Sequence, residues 1–364
     1  MKRRKKTENK PFRFLSVIGI LLVVTGHLGW DSVSLSGLFP SYQFHVPLFL
    51  FISGYFYRPS HEDAPGPYLL RKAVKLLVPY FFWNLVYGLV AQALRSHTGL
   101  IFGEKVSFYT LVVRPFVDGH QFMYNLAAWF VPALFLAETA YMFLRRCLRG
   151  TVLQGEGLFL LLCLALGCVT VWAYNTWVLS YWLLPLGRTL FFLPCLQLGR
   201  MYRAHWEKLD TLSNGAYLFL VVAAQMGLLF LVKDTGISTL EMRFPGGALA
   251  AYAGIVLGIA FWLRICRILS PALSRNPLVL EIGRHTYDIM IHHLGAFFLL
   301  KLLFFGLWRM GWCPAFDAEA FATNFLYFYV PGGDWFLWAY AAAGVLLPLL
   351  LRRILNRWRL TRWL

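Results

Sequence analysis

Ten stretches of mostly apolar side chains, each close to the length of a membrane crossing, divide this chain of 364 residues. They run over roughly 12–30, 38–57, 76–95, 122–144, 157–175, 178–199, 212–232, 245–265, 278–306 and 335–351. A helix crossing a bilayer core needs ~20 apolar residues, because lipid offers no partner to an unpaired backbone group. Composition agrees: 59% of residues are hydrophobic and 14% charged. A soluble globular enzyme and a disordered chain are both excluded on that balance. The expected fold is an all-α integral membrane protein of about ten transmembrane helices.

Charge sets the orientation. The pieces before, between and after alternate segments are the tail through Arg13, 58–75, 145–156, 200–211, 264–284 and the C-terminus. Together they carry 26 of the 34 Lys and Arg. Six more lie in the opposite loops, and Arg188 and Lys301 lie inside spans. Cytoplasmic loops hold the basic excess, so both termini are expected in the cytoplasm. The net charge of +17 then reflects membrane topology rather than nucleic-acid binding. Residues 1–11 read as a basic cytoplasmic tail, 12–351 as the membrane domain and 352–364 as a second basic tail. The opening MKRRKKTENK resembles a secretory leader, but no small-x-small cleavage site follows its apolar run, so it reads as a retained span. Segments five and six nearly touch at Tyr174–Trp177, which leaves nine spans as the competing count. Merging them would put the basic RMYRAHWEK outside. The six cysteines form no CxxC pair, so neither a disulfide framework nor a metal site is expected. The long outer loops 96–121 and 307–334 could cover a site.

Ionisable groups in lipid are costly and usually face a bundle interior or a wet cavity. His27 ends the run LLVVTGH, and His45 opens the next in YQFHVPLFLFISGYF. The two spans form a hairpin, and counting from its turn places both imidazoles in the outer half of the membrane. Arg13 precedes His27 by 14 residues and Ser16 by 11. At ~100° per residue these steps close to within about 40° and 20° of full turns, so the three share one stripe. Glu281, His285, Asp288 and His292 are spaced 4, 3 and 4 apart in LEIGRHTYDIMIHH. On one continuous helix they form a single face, expected to point into the bundle as a ligand surface or a carboxylate–imidazole network. His293 and Lys301 are further ionisable groups of this span. Arg71, Lys72 and Lys75 crowd the cytoplasmic rim of span three, either as ordinary topology charges or as a cradle for phosphate. Glu138 and Arg188, on spans four and six, could pair across the interior or serve substrate.

Several of these pieces, taken in series, resemble the acyltransferase 3 family of integral-membrane O-acyltransferases. They are VVTGH (23–27), FHVPLFLFISGYF (44–56), KAVKLLVPYFFW (72–83), WFVPALFLAE (129–138) and IGRHTYDIMIHH (282–293). The resemblance implies a ten-helix fold in the cytoplasmic membrane of a bacterial envelope, in its minimal form without an appended soluble domain. It implies transfer of an acyl group, usually acetyl from acetyl-CoA, to a hydroxyl. Acceptors would be exopolysaccharide, lipopolysaccharide, peptidoglycan or a sugar precursor. The catalytic role maps onto His27, with His45 in a matching motif. Donor binding maps onto Lys72 and Lys75, with Arg71 and Arg13 beside them. Many members carry an arginine where this chain has Ser16; Arg13, one turn earlier, can take its place. Ser53, Glu138, Arg188, Asp288 and His292 are candidates for substrate contact or support.

A neutral imidazole suits the base that such a transfer needs. His27 is expected to be that base, with His45 orienting it or stabilising the oxyanion. The competing classes are a transporter or flippase for lipid-linked sugars, and a non-catalytic membrane scaffold. The first lacks the internal repeat common in transporters.

Overall fold

The structure, a computed structural model, describes residues 9–29 and 37–357. Most of the N-terminal basic tail, the end of the first segment at Trp30 and the end of the C-terminal tail lie outside the described residues. Ten helices of 16 residues or more are present among them: Lys10–Gly26 (α1), Ser41–Phe56 (α2), Pro65–Thr98 (α3), Phe130–Cys147 (α4), Glu156–Thr176 (α5), Leu184–Met201 (α6), Asn214–Leu231 (α7), Gly247–Leu273 (α8), Thr286–Arg309 (α9) and Leu337–Arg357 (α10). Each overlaps one apolar segment. Seven are long and apolar enough to cross a membrane by themselves. The other three, α1, α2 and α6, are short or carry arginine, and lie in the core. Helices surrounded by protein do not have to match the lipid thickness. Segments five and six form separate helices: α5 stops at Thr176, and a short turn at Tyr181–Leu183 precedes α6.

Local sequence sets the helix ends. Asn9 caps α1 by accepting the Phe12 N–H, with a proline in the first turn, where its missing N–H costs nothing. Gly99 ends α3 in the left-handed region at φ +73°, which glycine adopts without a Cβ clash. Packing in the centre depends on missing side chains. A Cβ on Gly54 of α2 would come within 1.9 Å of the Leu196 carbonyl oxygen on α6, and one on Gly199 within 2.0 Å of the Phe51 carbonyl oxygen. The two backbones therefore touch, the small-residue contact by which membrane helices gain packing energy.

The basic loops converge on one end of the bundle. There Glu62 lies between Arg145 (3.6 Å) and Arg149 (3.2 Å), while Arg145 and Arg200 share Glu156 at 3.1 and 2.8 Å. Asp210 takes Arg264 and Arg267, and Tyr55 joins Asn9 to Glu207. At the opposite end the loops are held by hydrogen bonds to backbone carbonyls. The Arg188 guanidinium donates to Thr239 (3.2 Å), Leu240, Val117 (3.2 Å) and Asp118 (3.3 Å). Lys301, only 1% exposed, donates to the Phe325 carbonyl.

The ninth segment departs from expectation. A short helix, Pro277–Arg284, ends at His285, whose backbone (φ −119°, ψ 26°) leaves the helical region before α9 begins at Thr286. Gly283 packs on the Arg13 side chain at this break, where a Cβ would approach Arg13 Cγ to 2.8 Å. Glu281 and Asp288 are therefore on different helices, and the single polar face does not exist. Its members have separate partners: Glu281 pairs with Arg353 at 3.2 Å, Asp288 with His285 at 3.0 Å and Arg352 at 3.5 Å. Side-chain periodicity carries no sign of a break made by backbone rotation at one residue.

Candidate active site

α1 ends at Gly26 and α2 begins at Ser41. Along α9, His293 stands opposite His27, and sixteen residues, ~24 Å of helix, continue from there to Arg309. His27 therefore lies well inside the length of α9. The space above it is roofed by residues 237–240 and 325–328. Beneath that roof is a cavity of about 410 Å³. The last turn of α1 supplies His27, and α2 supplies Tyr42, His45 and Phe49. Trp129 and Phe130 close another side. His27 and His45 thus face one space, as the sequence implies.

Three histidines here have their tautomers set by backbone carbonyls. His27 Nδ1 is 2.8 Å from the Val23 carbonyl oxygen, His45 Nδ1 is 2.6 Å from that of Ser41, and His293 Nδ1 is 3.0 Å from those of Ile289 and Met290. A carbonyl only accepts, so each Nδ1 carries the proton and each neutral ring keeps its lone pair on Nε2. His293 Nε2 lies 3.3 Å from His27 Nδ1 and accepts from it. The His27 N–H is shared between Val23 and His293, and His27 Nε2 is left as a base. A ring whose other nitrogen is hydrogen-bonded in this way is fixed in both tautomer and direction.

His293 is fully buried, and sequence reasoning gives it no role. Periodicity singles out His292 through its spacing from Asp288. One residue further along is ~100° further round, and only the packing shows which of the two faces α1. His292 turns instead toward α3, where its Nδ1 is 3.0 Å from the Tyr87 hydroxyl. The roof residues 237–240 carry no signal in the sequence at all.

A second constellation lies toward the basic end. Lys72 Nζ is 2.6 Å from Glu138 Oε1, and the Ser53 hydroxyl donates to the same oxygen. Glu138 Oε2 is buried and has no hydrogen bond among the described residues. Arg188 is not its partner: that guanidinium is held by loop carbonyls and lies over the Trp129 ring, 4.6 Å from its centroid. Lys72 is therefore directed inward, while Arg71 and Lys75 are exposed. Arg13 faces the 277–284 helix, and Ser16 donates to the Phe12 carbonyl. The two clusters lie on common rows. His45, Phe49 and Ser53 are four apart on α2, as are Phe130, Leu134 and Glu138 on α4. Each row covers ~12 Å, and the Phe49 and Phe130 rings meet between them at 6.0 Å.

Comparison with known proteins gives two partial relatives. Nodulation protein NolL of Sinorhizobium fredii is 41% identical over 140 residues, 35% of this chain and 36% of the relative. Nodulation protein NolL of Mesorhizobium japonicum is 39% identical over 92 residues, 21% and 24% of the two chains. The chain thus spans about a third or less of the length of these relatives. No solved structure matches. The acyltransferase domain of the acyltransferase 3 family, by contrast, matches residues 13–316, a stretch holding both histidine-lined walls of the cavity and the Lys72–Glu138 pair, and this multi-pass membrane chain therefore belongs to that acyltransferase family.

Proposed function

We propose that this enzyme moves an acetyl group from acetyl-CoA to a hydroxyl of an envelope carbohydrate or its precursor, with His27 as general base. It does so in the cytoplasmic membrane, across ten spans with both termini in the cytoplasm. The observation that carries the reading is the His27–His293 contact beneath a roofed cavity. Family membership sets aside the transporter and scaffold alternatives.

In the reaction the acceptor oxygen attacks the thioester carbonyl while its proton passes to His27 Nε2. The tetrahedral oxyanion then collapses, the C–S bond breaks, and the departing thiolate takes the proton back. Between those events His27 is an imidazolium, whose Nδ1–H donates more strongly to His293 Nε2. His293 thus supports the charged ring much as a carboxylate supports histidine in a hydrolase triad, without bringing a charge into the membrane. The Ser41 carbonyl fixes neutral His45 with its lone pair inward. That favours accepting a hydrogen bond from the substrate hydroxyl over donating one to the oxyanion. The aromatic walls suit the apolar face of a sugar ring.

Arg71 and Lys75 are exposed at the rim where a cytoplasmic anionic donor would dock. The rows from Ser53 and Glu138 to His45 and Phe130 mark the route by which its thioester would reach His27. Purified enzyme in proteoliposomes, given labelled acetyl-CoA, should release CoA thiol. Envelope glycans from cells lacking the gene should lose acetyl mass. Unchanged glycans together with no thiol release from any acyl-CoA refute the proposal.

A further inference from the structure

A second cavity, of about 460 Å³, lies between α3, α9 and α10, away from His27. Its lining is mostly apolar, with polar atoms from Trp83, Tyr87, Tyr124 and His292; Tyr124 packs against Phe298 with its hydroxyl buried. His292 is 6% exposed, lines the cavity, and uses Nδ1 on the Tyr87 hydroxyl. Among the described residues its Nε2 makes no hydrogen bond. Tyr87 reaches it only because residue 295 is glycine: a Cβ there would come within 2.5 Å of the Tyr87 hydroxyl oxygen. A half-satisfied polar pair in hydrocarbon is costly, and a ligand carrying one acceptor or donor would complete it.

The depth of this pair narrows the ligand. Asp288, paired with Arg352 at the basic end, is four residues before His292 on α9, or ~6 Å. On α10, Leu347, Leu350 and Ile354 line the cavity. Arg357 follows on the same stripe, exposed and without an ion pair among the described residues. From the basic end inward the groove therefore presents a cation, then a hydrogen-bonding group, then an apolar trough reaching Phe102 and Phe122. A glycerophospholipid presents a phosphate, an ester carbonyl and an acyl chain in that order. We infer that this groove binds one anionic glycerophospholipid of the leaflet at the basic end, with its ester on His292 and its phosphate beside Arg357.

Native mass spectrometry of the full chain in detergent tests this, with dioleoyl phosphatidylglycerol and dioleoyl phosphatidylcholine as probes. The wild type should retain a single phosphatidylglycerol about fivefold more tightly than phosphatidylcholine, the effect of one basic residue at a membrane surface. Arg357→Gln should erase the preference. His292→Phe should weaken both lipids. Leu299 lines the trough and is 58% exposed, so Leu299→Trp should fill the groove and abolish retention without entering the core. That arm stands even if His292→Phe fails to fold. Equal retention of the two lipids by the wild type, undiminished retention by Leu299→Trp, or a co-purified polyprenyl phosphate in place of the glycerophospholipid would each overturn the assignment.

Discussion

Replacing His293 tests the histidine pair more sharply than replacing His27 alone. General-base catalysis contributes ~10²–10⁴-fold, so His27→Ala should lose at least a hundredfold in kcat with donor affinity retained. His27→Gln should not recover it, because an amide does not take up the proton. His293 touches no reacting atom; it accepts the His27 Nδ1–H at 3.3 Å. A hydrogen bond to a charged group is worth ~1.5–3 kcal/mol, and each ~1.4 kcal/mol is tenfold in rate. The Val23 carbonyl, at 2.8 Å, still accepts from the same N–H, so loss of the His293 acceptor when His27 becomes an imidazolium should take the lower end and reduce kcat by about tenfold, with KM for the donor little changed. His293→Gln keeps an acceptor oxygen and should recover much of the loss, whereas His293→Leu should not. Because the two rings act as a unit, adding His293→Leu to His27→Ala should cost little more than His27→Ala alone. The assay is thiol release from acetyl-CoA in proteoliposomes, with donor binding measured separately. Multiplicative losses in the double variant, or a loss in KM with kcat intact, would refute the coupling.

Further outcomes follow from the inner cluster and the topology. Lys72→Ala leaves Glu138 buried without its cation. Breaking a buried pair costs ~3–5 kcal/mol, and Lys72 is partly exposed, so the lower end applies; Tm should fall and Glu138→Gln should restore it. Lys75→Ala should weaken CoA binding with Tm unchanged, and a Lys72→Ala variant that loses CoA affinity at normal Tm would contradict the inward role of Lys72. In a variant without native cysteines, single cysteines at Lys105 and Glu319, both exposed, should label from outside the cell, and one at Val152 only after permeabilisation. Labelling of all three from the same side would refute the alternating topology.

Several features of this protein follow from its residues alone. Hydrophobic runs and breaks are local properties, so among the described residues a long helix forms in each of the ten apolar segments. The bias of Lys and Arg toward alternate loops is local too, and those loops meet at one end of the bundle. His27 and His45 face one cavity because α1 and α2 pack side by side. What remained undetermined depends on rotation and on distant backbone. Whether His292 or His293 meets His27 depends on how α9 is turned against α1, and both choices are compatible with an amphipathic pattern. The break at His285 rests on one residue's backbone angles and on Gly283 packing against Arg13. The partners of Glu138 and Arg188 were chosen by depth: Glu138 reaches Lys72 near the basic end, while Arg188 reaches loop carbonyls at the other. The roof over the site comes from loops of unremarkable composition, held in place by Arg188 and Lys301. A buried cation must find acceptors wherever the fold offers them, and only the assembled bundle fixes which carbonyls those are.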